Sequence, residues 1–459
     1  MVKWLVVITL PALVAACSGG AAAPVNPVPA PLPAASVNAS ALPESAPPPR
    51  APLSPISTTY FSSSRTLWLE GMAVAGTDEI VLAGSVSGDV TWGSTNASTM
   101  EPRDARRRIF LGKLDVRKEQ KWAKVAAFSD GTLGNGVSAV AAGPKGTTVF
   151  AAEYHEKLRL DHKDILLPAG KLTSALVGVI DAQGKVRFTQ AFGSETDTLT
   201  PAGVAADAEG NVFIAGDFKG RARFDQTILQ EDRRSVFVAK LDRDGKVLWA
   251  RSFGNTCYTT ATALAADGAG AVYVGGAFCG SLDIGGTRLK PGGRETGFLV
   301  KLDRDGRTLW ARAFNDAGPT IVRAIAVRRE VAVASHRWPE DWDTRHGLII
   351  DKMDVDGHPL WTRALGGQGA EARAVALGPE GSVAVCGSSR SAHEFAGTTV
   401  EKLTGAFVAT FTDGGDPAGI HVIGGQRSEY CVGIAYRPSG TILAAGRASP
   451  AAFLVELSP

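Results

Sequence analysis

Two acidic residues stand two apart, just before a glycine, at Asp242-Arg243-Asp244-Gly245 and again at Asp303-Arg304-Asp305-Gly306. Carboxylates at that spacing open many calcium loops. A calcium loop needs more oxygen ligands and a closing bidentate glutamate, and none follows either copy. The Asp-Gly pair instead signals a tight hairpin turn. The histidines at 155, 162, 336, 346, 358, 393 and 421 show no close metal-ligand spacing. No cysteine–histidine pair at catalytic spacing, Gly-x-Ser-x-Gly elbow or Gly-Lys-Ser/Thr phosphate loop occurs. The reading is therefore a non-enzyme, with no catalytic residue, metal or cofactor expected. The densest polar and aromatic run is His336-Arg337-Trp338-Pro-Glu-Asp-Trp342-Asp-Thr-Arg345-His346. Amphipathic aromatics on a loop suit a binding face, and sugar rings stack well on tryptophan. His336, Arg337, Trp338, Trp342, Arg345 and His346 are the expected ligand-binding residues.

Those loops must be held by a scaffold, and the scaffold is legible as a repeat. One copy reads Phe237-Val-Ala-Lys-Leu-Asp-Arg-Asp-Gly-Lys-Val-Leu-Trp249-Ala-Arg-Ser-Phe253-Gly254. The next reads Phe298-Leu-Val-Lys-Leu-Asp-Arg-Asp-Gly-Arg-Thr-Leu-Trp310-Ala-Arg-Ala-Phe314. A period of roughly 40 to 50 residues or more marks a repeat architecture. Around the second copy the pattern gives four strands: 261–267, 271–278, 297–303 and 308–314, with Gly280 to Gly286 leading into a polar excursion through Gly293. Third strands recur near Phe110, Leu176, Phe237, Phe298, Ile349, Phe407 and Phe453. Four antiparallel strands per unit is the blade of a β-propeller. The tryptophans at 122, 249, 310 and 361 recur at one place in successive units, which suits packing between blades.

The last unit ends at Phe453-Leu-Val-Glu-Leu-Ser-Pro459, without a fourth strand. At the other end, Ile56 to Phe61 precedes the first unit, and Phe61 stands eleven residues before Met72, as Phe253 does before Leu264. The expectation is an all-β, seven-bladed propeller over residues 56–459, its ring closed by the N-terminal strand completing the last blade. Closure leaves no strand edge open to another chain, and a monomer is expected. Within the fourth unit, a hairpin turning at 268–270 sets Thr259 opposite Cys279 and Cys257 diagonally near it. A Cys257–Cys279 disulfide is expected, and the pairing of Cys386 and Cys431 stays open.

Before the repeats, Met1-Val2-Lys3 is a short basic region and Trp4 to Ala16 a largely apolar one, too short to span a bilayer comfortably. Leu13-Val14-Ala15-Ala16-Cys17 resembles the bacterial lipobox, in which cleavage leaves a lipid-bearing cysteine first. The resemblance implies a signal peptide over 1–16 and lipidation of Cys17. With Ser18 and Gly19 next, it implies the outer membrane or cell surface of a Gram-negative bacterium. More than one acyl chain holds a protein firmly, where a single one binds only marginally. Eleven of the 25 prolines lie between Pro24 and Pro55, so residues 17–55 read as a disordered tether. At about 3.1 Å per residue it reaches roughly 100 Å. The formal charge is +2, and no basic stripe with interleaved aromatics supports nucleic-acid binding. The run Arg103-Asp-Ala-Arg-Arg-Arg108 reads as a solvated loop.

The Phe-Val-Ala-Lys-Leu-Asp…Asp-Gly…Leu-Trp-Ala-Arg…Phe-Gly run, with Gly-x-Phe-x-Gly at 216–220 and 276–280, resembles the SBBP family of β-propeller repeats. The resemblance covers roughly 56–459 and fades where Phe407-Val-Ala-Thr-Phe-Thr loses the lysine and tryptophan. It implies a propeller on secreted or lipid-anchored bacterial proteins, and no activity. The function expected is a lipid-anchored, non-enzymatic scaffold that binds a protein or glycan. Two alternatives share the Trp-ended repeat. One is a scaffold similar to the propeller lipoprotein of the outer-membrane barrel-assembly machinery. The other is a quinone-dependent dehydrogenase, whose eight blades, vicinal cysteines and acidic calcium ligands do not match this chain.

Overall fold

The Asp-Gly motifs fold as hairpin turns, and their carboxylates are already occupied. Oδ1 of Asp242 accepts the backbone N–H groups of Asp244 and Lys246, both at 2.9 Å. Oδ1 of Asp303 accepts those of Asp305 and Arg307 at 2.9 and 2.8 Å. Gly245 and Gly306 close the turns at φ +92° and +79°, a region glycine enters without steric cost. A computed structural model of the protein describes residues 53–458 apart from stretches in the connections, the longest being 98–107, 129–135, 167–173 and 339–346.

Among the described residues the chain is all-β, with one short 3-10 turn at Pro144–Gly146. Each turn of this kind joins the third and fourth strands of an antiparallel meander. In the fourth meander the strands are Thr259–Ala266, Val272–Phe278, Thr296–Leu302 and Thr308–Phe314, paired in that order. The same order runs through 66–128, 137–194, 199–253, 320–365 and 371–423. The last sheet begins Tyr430–Tyr436, Ile442–Ala448, Ala451–Ser458, and its fourth strand is Ser54–Ser63 from the N-terminal side. That strand pairs antiparallel with Ala451–Ser458 on one edge and with Val90–Trp92 of the first meander on the other.

Neighbouring meanders share apolar cores. Phe237, Phe213 and Trp249 of the third pack with Phe278, Leu282 and Phe298 of the fourth. Leu443, Ala445 and Leu454 of the last pack with Phe61, Leu67, Leu82 and Phe110. The second-to-third connection of the fourth meander carries a small hairpin, Leu282–Ile284 with Thr287–Leu289. The excursion through Gly293 is thus not simply polar: Leu289 is buried with Leu282 and Ile284, because the hairpin folds back over the core.

The repeated lysine and tryptophan explain how one meander holds the next. They stand opposite each other on adjacent strands: Lys240 with Trp249, Lys301 with Trp310, Lys352 with Trp361. Both side chains reach one carbonyl in the next turn. The O of Arg304 accepts from Lys240 Nζ at 3.3 Å and Trp249 Nε1 at 3.0 Å. The O of Val355 accepts from Lys301 Nζ at 2.8 Å and Trp310 Nε1 at 3.2 Å. The O of Asp413 accepts from Lys352 at 3.3 Å and Trp361 at 2.8 Å. The indole also lies beneath the glycine of that turn, where a Cβ on Gly306 would stand 2.9 Å from Trp249. Buried cations are costly unless paired, and Lys352 at 1% side-chain exposure meets Glu330 at 2.7 Å and Asp413 at 2.5 Å.

At the seam between last and first meanders the charges are reversed. Glu456 and Ser57 occupy the lysine and tryptophan places. Lys118 stands in the turn at φ +67°, where the others carry glycine. Its ammonium meets Glu456 at 3.3 Å and donates to Ser57 Oγ. Two disulfides add covalent ties. Cys386 and Cys431 link the sixth and last meanders at a Cα separation of 5.7 Å. Cys257 and Cys279 are bonded at 5.8 Å, with Thr259 paired to Phe278 rather than to Cys279.

Trp249→Ala deletes an indole that is 8% exposed together with its N–H bond to the next turn. A loss of about 3–5 kcal/mol is expected from the urea midpoint. A loss under about 1 kcal/mol, the scale of an ordinary surface change, would mean the joint does not depend on it.

Candidate functional site

Every first strand is interrupted at the same place. Pairing skips one residue between Leu69 and Gly71, Val137 and Ala139, Pro201 and Gly203, and Ala261 and Ala263. It skips one again between Val322 and Ala324, Ala372 and Ala374, and Cys431 and Gly433. A bulge of this kind leaves one residue unopposed and re-aims its side chain. The extra residues are Glu70, Ser138, Ala202, Thr262, Arg323, Arg373 and Val432, and all of them line one cavity of about 440 Å³. The bulges lie toward the end of the first strands that neighbours the second-to-third connections, away from the Asp-Gly turns, since Thr259 pairs with Phe278 and Phe278 with Thr296.

Its wall is charged on opposite sides. Arg323 and Arg373 come from consecutive strands, with Glu371 4.0 Å from Arg373. Burial pulls the Arg323 guanidinium below its usual value, and Arg373 adds to this while Glu371 and Glu295 oppose it. Glu70 stands on the other side and accepts from Ser85 Oγ at 3.2 Å. Aromatic rings support the cations at the rim. The Arg323 guanidinium lies 5.9 Å from the Trp338 ring, Arg373 5.0 Å from Tyr430, and Arg447 4.6 Å from Trp68. Tyr258 donates to Glu295 at 3.2 Å on the same rim. Such a wall can hold an anion by guanidinium forks and accept hydroxyl hydrogen bonds on its carboxylates.

The expected binding loop is only partly a loop. His336 and Arg337 end the strand Glu330–Arg337, and His336 is 3% exposed, paired with Ile321 and Leu348. Its backbone is held in the middle of a sheet, so its ring points into packing and meets Trp338 edge-on at 4.5 Å. Trp338 starts the connection itself, with its N–H donating to Pro319 O at 2.9 Å. Trp342, Arg345 and His346 lie outside the described residues, as does Cys17. Of the residues singled out in the sequence, Trp338 is the one that stands beside the charged cavity, through Arg323. The bulge residues were missed. Their signal was present: an arginine or glutamate inside an otherwise apolar first strand, as in Ile321-Val-Arg323-Ala-Ile-Ala, Ala372-Arg373-Ala-Val-Ala and Leu69-Glu70-Gly-Met.

A buried carboxyl backs one bulge. Asp217 Oδ1 accepts the N–H of Ala261 at 2.6 Å, just before Thr262. Burial pushes its pKa up to about 7, against the hydrogen bond from Ala261 and the charge of Arg234.

No protein-family model matches the chain, and no curated protein sequence does. Among solved structures, the WD40 β-propeller domain of Doa1 is 11% identical over 88% of this chain and 97% of its own, with a TM-score of 0.40. Sqt1 of Saccharomyces cerevisiae is 7% identical over 88% of this chain and 100% of its own, with a TM-score of 0.42. A glucose dehydrogenase is 11% identical over 63% of this chain and 94% of its own, with a TM-score of 0.35.

The Asp217 carboxyl generates a pH test. Its folded value lies above the ordinary aspartate value of about 3.9, so the folded chain holds this proton more tightly than the unfolded chain. The stability it contributes is present at acid pH and is lost as pH rises from about 4 through 7. Asp217→Asn keeps the acceptor and removes the charge. Thermal melts should show the variant more stable than the parent at alkaline pH, with the gap closing at acid pH. A gap independent of pH would rule out the titration of Asp217 as its source.

Proposed function

We propose that the protein is a lipid-anchored, non-enzymatic β-propeller that binds a protein or glycan at the bacterial envelope. In this reading the seven meanders are blades of one ring, and Ser54–Ser63 closes it. The seam at Lys118 and Glu456 and the core shared by the last and first meanders support closure. The anchor and the outer-membrane or surface location rest on the lipobox-like run ending at Cys17 and on the proline-rich tether. The repeats place the chain beside SBBP-type proteins by resemblance.

The observation that carries binding is the convergence of bulge residues from every first strand on one cavity. A structural scaffold has no need to interrupt each inner strand at one level. A binding site does, because a bulge sets a side chain free of the pairing register. The cavity falls within the range of small-molecule sites, about 300–1,000 Å³, and the connections around it add a rim that a larger partner can touch.

Cross-linked envelopes should yield a partner or glycan on the tagged, full chain, and Trp338→Ala together with Trp342→Ala should weaken that capture. Cys17→Ala should move the protein from the membrane fraction to the soluble fraction and abolish incorporation of labelled fatty acid. Envelopes that yield nothing on the parent protein would argue against a binding role.

A further inference from the structure

We propose that the charged cavity is a site for an acidic sugar, a uronate-type residue whose carboxylate sits between Arg323 and Arg373. The inference deepens the binding role proposed above and rests on it. Two features of the wall and one residue packed behind it decide the chemistry.

First, two guanidinium groups from adjacent strands face one cavity. Each bears on the other electrostatically, and Arg323 is the more buried of the two. A guanidinium offers a planar fork that matches a carboxylate. An anion between them would relieve their mutual repulsion. Second, Glu70 and Glu371 line the same cavity. They would repel a compact polyanion such as phosphate or citrate, but they accept hydrogen bonds from hydroxyl groups. Third, the half-buried Trp338 stands beside Arg323, and an indole face receives the apolar face of a sugar ring. A neutral sugar adds no carboxylate for the two guanidinium forks beyond Glu371, which stands 4.0 Å from Arg373, and a bare polyanion meets the two glutamates. One carboxylate on a hydroxylated ring answers both constraints.

The bulges make this arrangement selective rather than generic. The other extra residues are Ser138, Ala202, Thr262 and Val432, which are small or uncharged. Thr262 is committed elsewhere: its hydroxyl lies between the carbonyls of Val322 and Gly275, within donating reach of either. The charge is therefore concentrated on Glu70 and on the consecutive strands that carry Arg323, Glu371 and Arg373. The ligand is bound in one orientation, its carboxylate toward the fifth and sixth meanders.

The test is calorimetric titration of the full chain in detergent with digalacturonate and with the neutral galactose disaccharide, at low and high salt. Digalacturonate is expected to bind about tenfold or more tightly than the neutral sugar, with affinity falling at high salt. Arg373→Gln, whose side chain is 46% exposed in the parent and so leaves folding intact, should lose about tenfold or more. Arg373→Lys should fall between, keeping the charge without the fork. A matching thermal melt for each variant separates loss of binding from loss of fold. Equal binding of both sugars, no effect of Arg373→Gln, or no binding of either sugar overturns the inference. Inorganic phosphate displacing digalacturonate at equal concentration also overturns it, by revealing a plain anion site. Envelope capture by the parent and by Arg373→Gln then separates the two readings. Capture that persists alongside failed titration sinks only the acidic sugar, whereas no capture by either sinks the binding role as well.

Discussion

The structure depends on one repeated contact: a buried lysine and a tryptophan from one meander meeting a single carbonyl in the hairpin turn of the next. The interaction is demanding on both partners. The lysine must be stripped of water, which is tolerable only because the carbonyl and nearby carboxylates replace that water. The turn must present its carbonyl outward and leave room for an indole beneath its glycine. Asp242 and Asp303 secure that shape by accepting two backbone N–H groups each. The Asp-Gly residues that resemble calcium ligands and the recurring tryptophans are therefore two halves of one joint. Where the joint departs from the pattern, a substitute keeps contact. Phe188 lies against Gly245 in place of a tryptophan, and the Lys118–Glu456 pair reverses the charges at the seam.

That joint sits at the Asp-Gly end of the sheets, and the candidate site sits at the other. The separation has a physical consequence. Positions that hold neighbouring meanders together are constrained in size, charge and backbone angle. The bulge residues are freer in side-chain type, because they fall outside the pairing register, although Thr262 still bridges to Val322 of the next meander. Each first strand can therefore carry a glutamate, an arginine or a valine at its bulge without disturbing the ladder on either side. The charged cavity is a local choice made on a fixed frame, and its buried backing, such as Asp217 beneath the Thr262 bulge, belongs to the frame.

Much of the fold was legible because it is written in local signals that repeat. The run of β-formers at 271–278, the Asp-Gly turns and the position of Trp249 and Trp310 each specify a strand, a turn or a packed ring within a few residues. The unmatched ends of the repeat pointed to a pairing between Ser54–Ser63 and the last strand, which the register bears out. The polar excursion expected through Gly293 holds one buried residue, Leu289, which pairs with Leu282 in a small hairpin that folds back onto the core. His336 was misplaced for a related reason. A histidine beside a run of polar and aromatic residues reads as loop, yet its backbone continues the ladder to Ile321 and Leu348.

The sequence by itself determined the repeating strand order, the turns and the lysine–tryptophan pairs, because each depends on residues that are neighbours along the chain or across one hairpin. Only the tertiary structure decided which residues line the cavity. A bulge shifts the inward set by one position, and whether seven such positions meet depends on contacts between strands some fifty to seventy residues apart. Glu70, Arg323 and Arg373 are ordinary charged residues until those strands are brought side by side around one cavity.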